Sequence, residues 1–248
     1  MSGHSKWHNI QMRKGKQDAK RAGAFTKLAR VITSAAHDGG GDSSTNASLR
    51  FAIEKARAAS MPKDNIQRAI DRGTGAGGGA ALSSIIYEGK GSGGIDIIVE
   101  VLTDNKNRTA GEIKHIFSKN GGMVGAPGSV SWNFEQKGNI QVSSNAKAQS
   151  SNQTQNSNDQ IILEIMDIGG VQDVEEGENG IEIYTVPKEL ASVSKQLESK
   201  GYKIERTELI MNPKSVMGLD GEKLEQAMKL LELLDDYDDT ENVWTNLG

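Results

Sequence analysis

Apolar residues recur with a helical period through the first third of the chain. Phe25, Leu28, Ala29, Ile32 and Ala36 fall on one face at i, i+3, i+4 and i+7 spacing. The run stops at His37-Asp38-Gly39-Gly40-Gly41, a strong breaker. Asn46 is a suitable N-cap for a second helix with Leu49, Ala52, Ile53 and Ala56 on one side. Pro62 suits the first turn of a third helix that turns Ile66, Ala69 and Ile70 inward. Residues 17–72 therefore read as a compact bundle of three short helices.

The period then changes. After a Gly-rich linker at 73–81, Ile85, Tyr87 and the run 95–102 predict a strand pair about the Gly-rich turn 89–94. Thr109 with Glu112 reads as a capping box opening a helix that ends at Asn120-Gly121-Gly122. Residues 129–135 and 138–142 read as strands. The stretch 143–158 is filled with Ser, Asn and Gln and cannot bury a core, so it reads as a disordered loop or linker. Beyond it come a helix at 159–168, a strand at 181–186, a helix opened by Pro187 and a strand at 202–211. An amphipathic helix with Leu224, Ala227, Met228, Leu231 and Leu234 on one face follows, and a strand at 242–246 closes the chain.

These elements predict an α+β multidomain protein. An N-terminal three-helix domain is followed by two ferredoxin-like α+β domains, the third inserted into the second. The expected bounds are 1–75 for the basic arm and bundle, 82–136 plus 206–248 for a discontinuous domain, and 137–205 for the inserted one.

Charge changes the picture most at the front. Residues 1–30 hold eight Lys and Arg against a single acid, Asp18, in a chain of net charge −4. Residues 1–72 hold 14 Lys and Arg against 6 Asp and Glu, a net of +8, which leaves −12 on the rest. A basic front end on an acidic body reads either as a solvated helix end or as a polyanion-binding arm. Trp7, His4 and His8 interleave with the cations, and flat rings beside charges suit bases and phosphates together. The absence of cysteine removes disulfides, thiolate nucleophiles and Cys-based zinc sites. No apolar run approaches a membrane span and no apolar stretch follows the N-terminal charges, so a cytoplasmic protein without a membrane partner is expected.

Catalytic signatures fail on context. Gly73, Gly75, Gly78 and Gly89, Gly91, Gly94 match G-x-G-x-x-G, but neither set lies between a strand and a helix as a dinucleotide site requires. His4 and His8 lack the further ligands of a zinc site, and nothing resembles a nucleophile elbow. The acids Asp235, Asp236, Asp238, Asp239 and Glu241 lack calcium-loop spacing and read as a solvated helix end that repels nucleic acid. No cofactor, metal or small-molecule substrate is implied, and no enzyme is expected. Helix starts near Lys63 and near Lys106 and Arg108 offer a second anion contact, with ordinary capping as the alternative.

Several stretches carry a resemblance: Gly3-His4-Ser5-Lys6-Trp7, Gln17-Asp18-Ala19-Lys20-Arg21, Phe25-Thr26-Lys27-Leu28, Met61-Pro62-Lys63-Asp64-Asn65-Ile66, Arg72-Gly73-Thr74-Gly75, Tyr87-Glu88-Gly89, Asn107-Arg108-Thr109 and Gly128-Ser129-Val130-Ser131. Together they resemble the YebC/PmpR family, which includes the mitochondrial translational activator of cytochrome c oxidase. The stretch 143–158, Met12 and Gly15-Lys16 depart from that pattern. The resemblance implies a three-domain, non-enzymatic regulator of gene expression. Members are usually described as DNA-binding transcriptional regulators, and others as ribosome-associated translation factors that assist difficult sequences such as proline runs.

The leading expectation is nucleic-acid binding, to DNA or ribosomal RNA, through His4, Lys6, Trp7, Asn9, Arg13, Lys14, Lys16, Lys20, Arg21, Lys27 and Arg30. The lysines and arginines would meet phosphates, Trp7 would stack and Asn9 would hydrogen-bond. A translation factor on the ribosome is the alternative, and a protein-interaction module using sheet edges is a third reading.

Overall fold

The computed structural model describes residues 21–76, 82–143, 158–177 and 180–248. Residues 1–20 of the expected basic arm, part of the 73–81 linker and nearly all of the 143–158 stretch lie outside them. The chain separates into two compact units, one of residues 3–135 and 212–248, the other of 136–211.

Among its described residues the first unit opens with three helices, α1 (Arg21–Gly39), α2 (Ala47–Ala58) and α3 (Lys63–Thr74). Asn46 caps α2 by accepting from the Leu49 N–H at 3.0 Å, and its amide donates to the Ala35 and Gly40 carbonyls, which ties the α1–α2 turn shut. Ile32, Leu49, Ala56, Met61 and Ile66 form the bundle core. Gly73 lets α3 approach α1, since a Cβ there would stand 2.3 Å from the Thr33 carbonyl oxygen.

The same unit continues as β1 (Ser83–Lys90), β2 (Asp96–Thr103), α4 (Lys106–Lys119) and β3 (Met123–Val124). It is completed by α7 (Gly221–Asp236) and β8 (Thr240–Thr245) after the second unit has intervened. The sheet order is β3-β1-β2-β8, with neighbouring strands antiparallel. Alternation along β2 turns Ile97, Val99 and Val101 toward one face, where Ile113 and Phe117 of α4 and Leu230, Leu231 and Leu234 of α7 bury them.

The second unit runs β4 (Phe134–Ser143), α5 (Asn158–Met166), β5 (Val171–Gly177), β6 (Gly180–Thr185), α6 (Leu190–Ser199) and β7 (Ile204–Pro213). Its strand order, β5-β6-β4-β7, with the chain order β-α-β-β-α-β, is the ferredoxin-like arrangement. Ile140, Val142, Ile181 and Ile183 face Ile165, Val193 and Leu197 of its helices. The protein is thus α+β, with N-terminal helices followed by two four-stranded antiparallel sheets.

Three local expectations are corrected. Asn105, not Thr109, caps α4 by accepting from the Arg108 N–H at 3.1 Å, while Thr109 lies fully buried inside the helix. Residues 129–133 are not strand. The Glu88 carboxylate accepts from the backbone N–H groups of Gly128, Val130 and Ser131 at 2.7–2.8 Å, which leaves a loop and one tight turn before β4. Residues 134–143 form one strand rather than the ends of two, and β5 is a further strand that the pattern did not separate.

Candidate nucleic-acid interface

Of the residues expected to meet nucleic acid, His4, Lys6, Trp7, Asn9, Arg13, Lys14, Lys16 and Lys20 lie outside the described residues. Arg21 opens α1 and Lys27 follows in its second turn. Arg30, three residues further, is turned to the protein body, where its guanidinium pairs with Asp238 at 2.9 Å.

Cations also gather where α2 ends and α3 begins. Lys55 and Arg57 occupy the last turn of α2, the end at which the helix dipole favours positive charge. The chain then reverses through Ser60, at φ 63°, whose N–H reaches the Arg57 carbonyl at 2.9 Å while the Met61 N–H reaches that of Ala56. Lys63 opens α3 after Pro62. Arg57, Lys63 and Arg68 are exposed. Arg68 is braced on its own helix, by the Asp64 carbonyl at 3.2 Å and the Asn65 side-chain oxygen at 2.6 Å. Arg57 and Arg68 were not singled out from the sequence. Their signal was the cation-rich last turn of α2 and the one-turn spacing of Asp64 and Arg68.

The second expected anion contact divides. Lys106 is the exposed first residue of α4. Arg108 is engaged: its guanidinium lies 3.0 Å from Asp239 and 3.3 Å from Asp104. Thr109 donates to the same Asp239 carboxylate at 2.6 Å, and Thr103 and Tyr237 lie within 3.2 Å of it. Burial pushes the Asp239 carboxyl up, but the hydrogen bonds from Thr109, Arg108 and Thr103 outweigh it and hold it below the usual carboxylate range. The arrangement is a satisfied carboxylate knot that ties the start of α4 to the turn before β8. Asp104 reaches back to Arg72 of the bundle at 3.7 Å.

Among the described residues no cluster of three or more His, Cys, Asp or Glu side chains is arranged to hold a metal ion. No described helix is long and apolar enough to cross a membrane.

Comparison with known proteins agrees with this architecture. Residues 5–76 match the model of the TACO1/YebC protein N-terminal domain, and residues 82–247 match that of the TACO1/YebC second and third domain. A relative from Caldanaerobacter subterraneus subsp. tengcongensis is 47% identical over 247 residues, covering 100% of this chain and 98% of its own. One from Lactobacillus gasseri is 46% identical, covering 99% of this chain and 97% of its own. Both bear the name "Probable transcriptional regulatory protein". The crystal structure of a conserved hypothetical protein from Aquifex aeolicus superimposes with a TM-score of 0.79 at 39% identity, covering 93% of this chain and 91% of that one. The chain described here belongs to the TACO1/YebC family.

Proposed function

We propose that this protein is a non-enzymatic regulator of gene expression that binds nucleic acid through its basic N-terminal arm and helical bundle. The observation that carries this reading is the division of charge. Residues 1–72 are net +8, the remaining residues are net −12, and the described bundle adds exposed Arg57, Lys63 and Arg68 at one corner. The basic end is drawn to a polyanion and the acidic body is repelled by it, which orients the approach. Lys6, Arg13, Lys14, Lys16, Lys20, Arg21 and Lys27 supply phosphate contacts, and Trp7 supplies stacking. Lys63 and Lys106 extend the contact, and Arg108 joins only by leaving Asp239. The names of the relatives favour transcriptional control, and this reading takes DNA as the target in a cytoplasmic setting.

A second reading, ribosomal RNA and translation, is favoured by helix α3. A major-groove reader needs free polar side chains along an exposed face. On α3, Gln67 bonds Asp71, Arg68 bonds Asn65 and Arg72 pairs with Asp104, so few are left to read base edges. A basic arm with Gly, His and Trp suits irregular RNA at least as well as duplex DNA.

Salt-dependent binding tests the common reading. Neutralising about six phosphates of duplex DNA gives a slope of about −5 in log affinity against log salt, and a flat dependence overturns it. Sedimentation of full-length protein and of a 1–30 deletion through a sucrose gradient, with and without nuclease, separates the two targets. Arm-dependent migration with ribosomes demotes DNA. Free migration with salt-sensitive capture of duplex DNA demotes the ribosome.

A further inference from the structure

The helical bundle and the sheet of the first unit have separate cores. The bundle buries Ile32, Leu49 and Ile66 within itself, and the sheet buries Val99, Phe117 and Leu231 beneath its own helices. Among the described residues, three polar side-chain contacts join them. Arg30 meets Asp238, whose side chain is 87% exposed; Arg72 meets Asp104 at 3.7 Å; Ser34 donates to Glu241 at 2.8 Å. The first two are exposed ion pairs, worth little in water. The third is part-buried and is therefore less open to competition from water than the exposed ion pairs.

Glu241 sits where the β2–β8 pairing slips. Glu100 is opposite Asn242 and Val101 opposite Thr240, so Glu241 is the extra residue of a bulge and is aimed off the ladder toward α1. One carboxyl oxygen accepts from Ser34, and the other is buried without a hydrogen-bond partner. The charged groups around it are mostly acidic. Glu100 faces it from β2, and Asp38 and His37 face it from α1. Arg30 of α1 is taken by Asp238, Arg72 of α3 by Asp104, and Asp239 of the turn before β8 by Arg108. No described cation is bound to it.

We propose that the Ser34–Glu241 contact is a proton-operated latch, which seats the helical bundle on the sheet when Glu241 is neutral and releases it when Glu241 is ionised. Burial first, then the charges of Glu100 and Asp38, push the Glu241 carboxyl up to about 7, against the smaller opposing pull of Ser34 and His37. A released, solvated Glu241 titrates near the ordinary glutamate value of about 4.3. Seating therefore takes up a proton between those values. The seating constant is greatest below the released value, falls as pH rises toward about 7, and is flat above it. The fall has a ceiling of a few hundred-fold, roughly tenfold per pH unit of the window. The latch stands whether or not the bundle binds nucleic acid, because its readout is a distance within the chain.

The chain has no cysteine, so two can be introduced cleanly. Ser48→Cys on α2 and Lys114→Cys on α4, both at exposed positions, carry a donor–acceptor dye pair on the full-length protein. Single-molecule energy transfer between pH 5 and 8 is expected to show one population at pH 5 and a second, more separated one growing toward pH 7. Glu241→Gln is expected to hold one population throughout. Glu100→Gln is expected to move the transition to lower pH, which tests the latch even if Glu241→Gln fails to fold. A wild-type distribution unchanged with pH, the same pH response in Glu241→Gln, or an unmoved midpoint in Glu100→Gln each overturns the proposal.

Discussion

The two sheets have the same number of strands and helices, yet three acids of the first and the acid row on the open face of the second are held in different ways. On the first, three acids are matched by donors, and Glu241 at the β8 bulge is the exception, with one carboxyl oxygen unpartnered. Glu88 takes three backbone N–H groups, Asp96 takes Lys90 at 2.6 Å and the Asn133 amide at 2.9 Å, and Asp239 takes Thr109 and Arg108. On the second, the face away from its helices sets Glu175 opposite Glu182 and Asp173 opposite Tyr184. Tyr184 donates to Glu182 at 2.6 Å, but Asp173 and Glu182 add negative charge around Glu175. Burial first and then those neighbours push Glu175 up to about 7, whereas Glu88, despite burial, is held below its ordinary value by its N–H donors. Matched acids pin loops, and Glu88 and Asp239, held below their ordinary values, are insensitive to mild pH changes. Crowded acids make a surface whose stability follows the proton.

The largest expected effect is at Glu88. Glu88→Ala leaves three backbone N–H groups of the 128–131 loop without their acceptor, two of them at residues little exposed to water. Each charge-assisted bond contributes roughly 1–3 kcal/mol, so a loss of about 3 kcal/mol or more is expected in urea unfolding. Trp132 and Trp244 lie in the first unit, so tryptophan fluorescence reports that transition. A midpoint within experimental error of wild type would show that water replaces the carboxylate without cost. Gly73→Ala comes next, because its Cβ would meet the Thr33 carbonyl and force α1 and α3 apart, at a cost of about 1–3 kcal/mol in the same measurement.

The pH dependence sharpens the comparison with a smaller effect. Glu175 has a raised value in the folded unit, so its contribution is greatest below the unfolded value and is lost as pH rises toward about 7. Amide hydrogen exchange in β6, corrected for the intrinsic pH effect, should therefore show more protection at pH 5 than at pH 7.5. Glu175→Gln should remove most of that difference. Glu88 and Asp239, both lowered, contribute above their unfolded values and lose that contribution only as pH falls through their lower folded values. A β6 response that survives in Glu175→Gln would place its source elsewhere on the sheet.

Periodicity made the helices and most strands legible, because a buried face repeats along the sequence. What it missed depended on partners far along the chain. Residues 129–133 have β-type composition, but Glu88, far earlier in the chain, captures the N–H groups of Val130 and Ser131, together with that of Gly128. Thr109 and Glu112 have the spacing of a capping box, yet Asp239 draws Thr109 into the protein and Asn105 takes the cap. Strand β5 was hidden by Asp173, Glu175 and Glu176, whose charge outweighs the two valines that face its core. The basic charge of residues 1–30 is plain in the sequence, and Arg57 and Arg68 add to it on the described bundle. The Ser34–Glu241 contact joins positions 207 residues apart, and no local pattern marks it.

The smallest expected effect is at the exposed pair Arg30–Asp238. Both side chains compete with water, and Asp238 is almost wholly exposed, so the pair contributes about 0–1 kcal/mol and less at high salt. Asp238→Ala should leave the unfolding midpoint nearly unmoved, in contrast with the matched acids Glu88 and Asp239. It also frees Arg30, the last cation of the basic front end, from its hold on the body. If Arg30 belongs to the nucleic-acid surface, Asp238→Ala raises affinity for a polyanion at low salt and steepens the salt slope by up to about one unit. An unchanged slope would assign Arg30 to the fold alone.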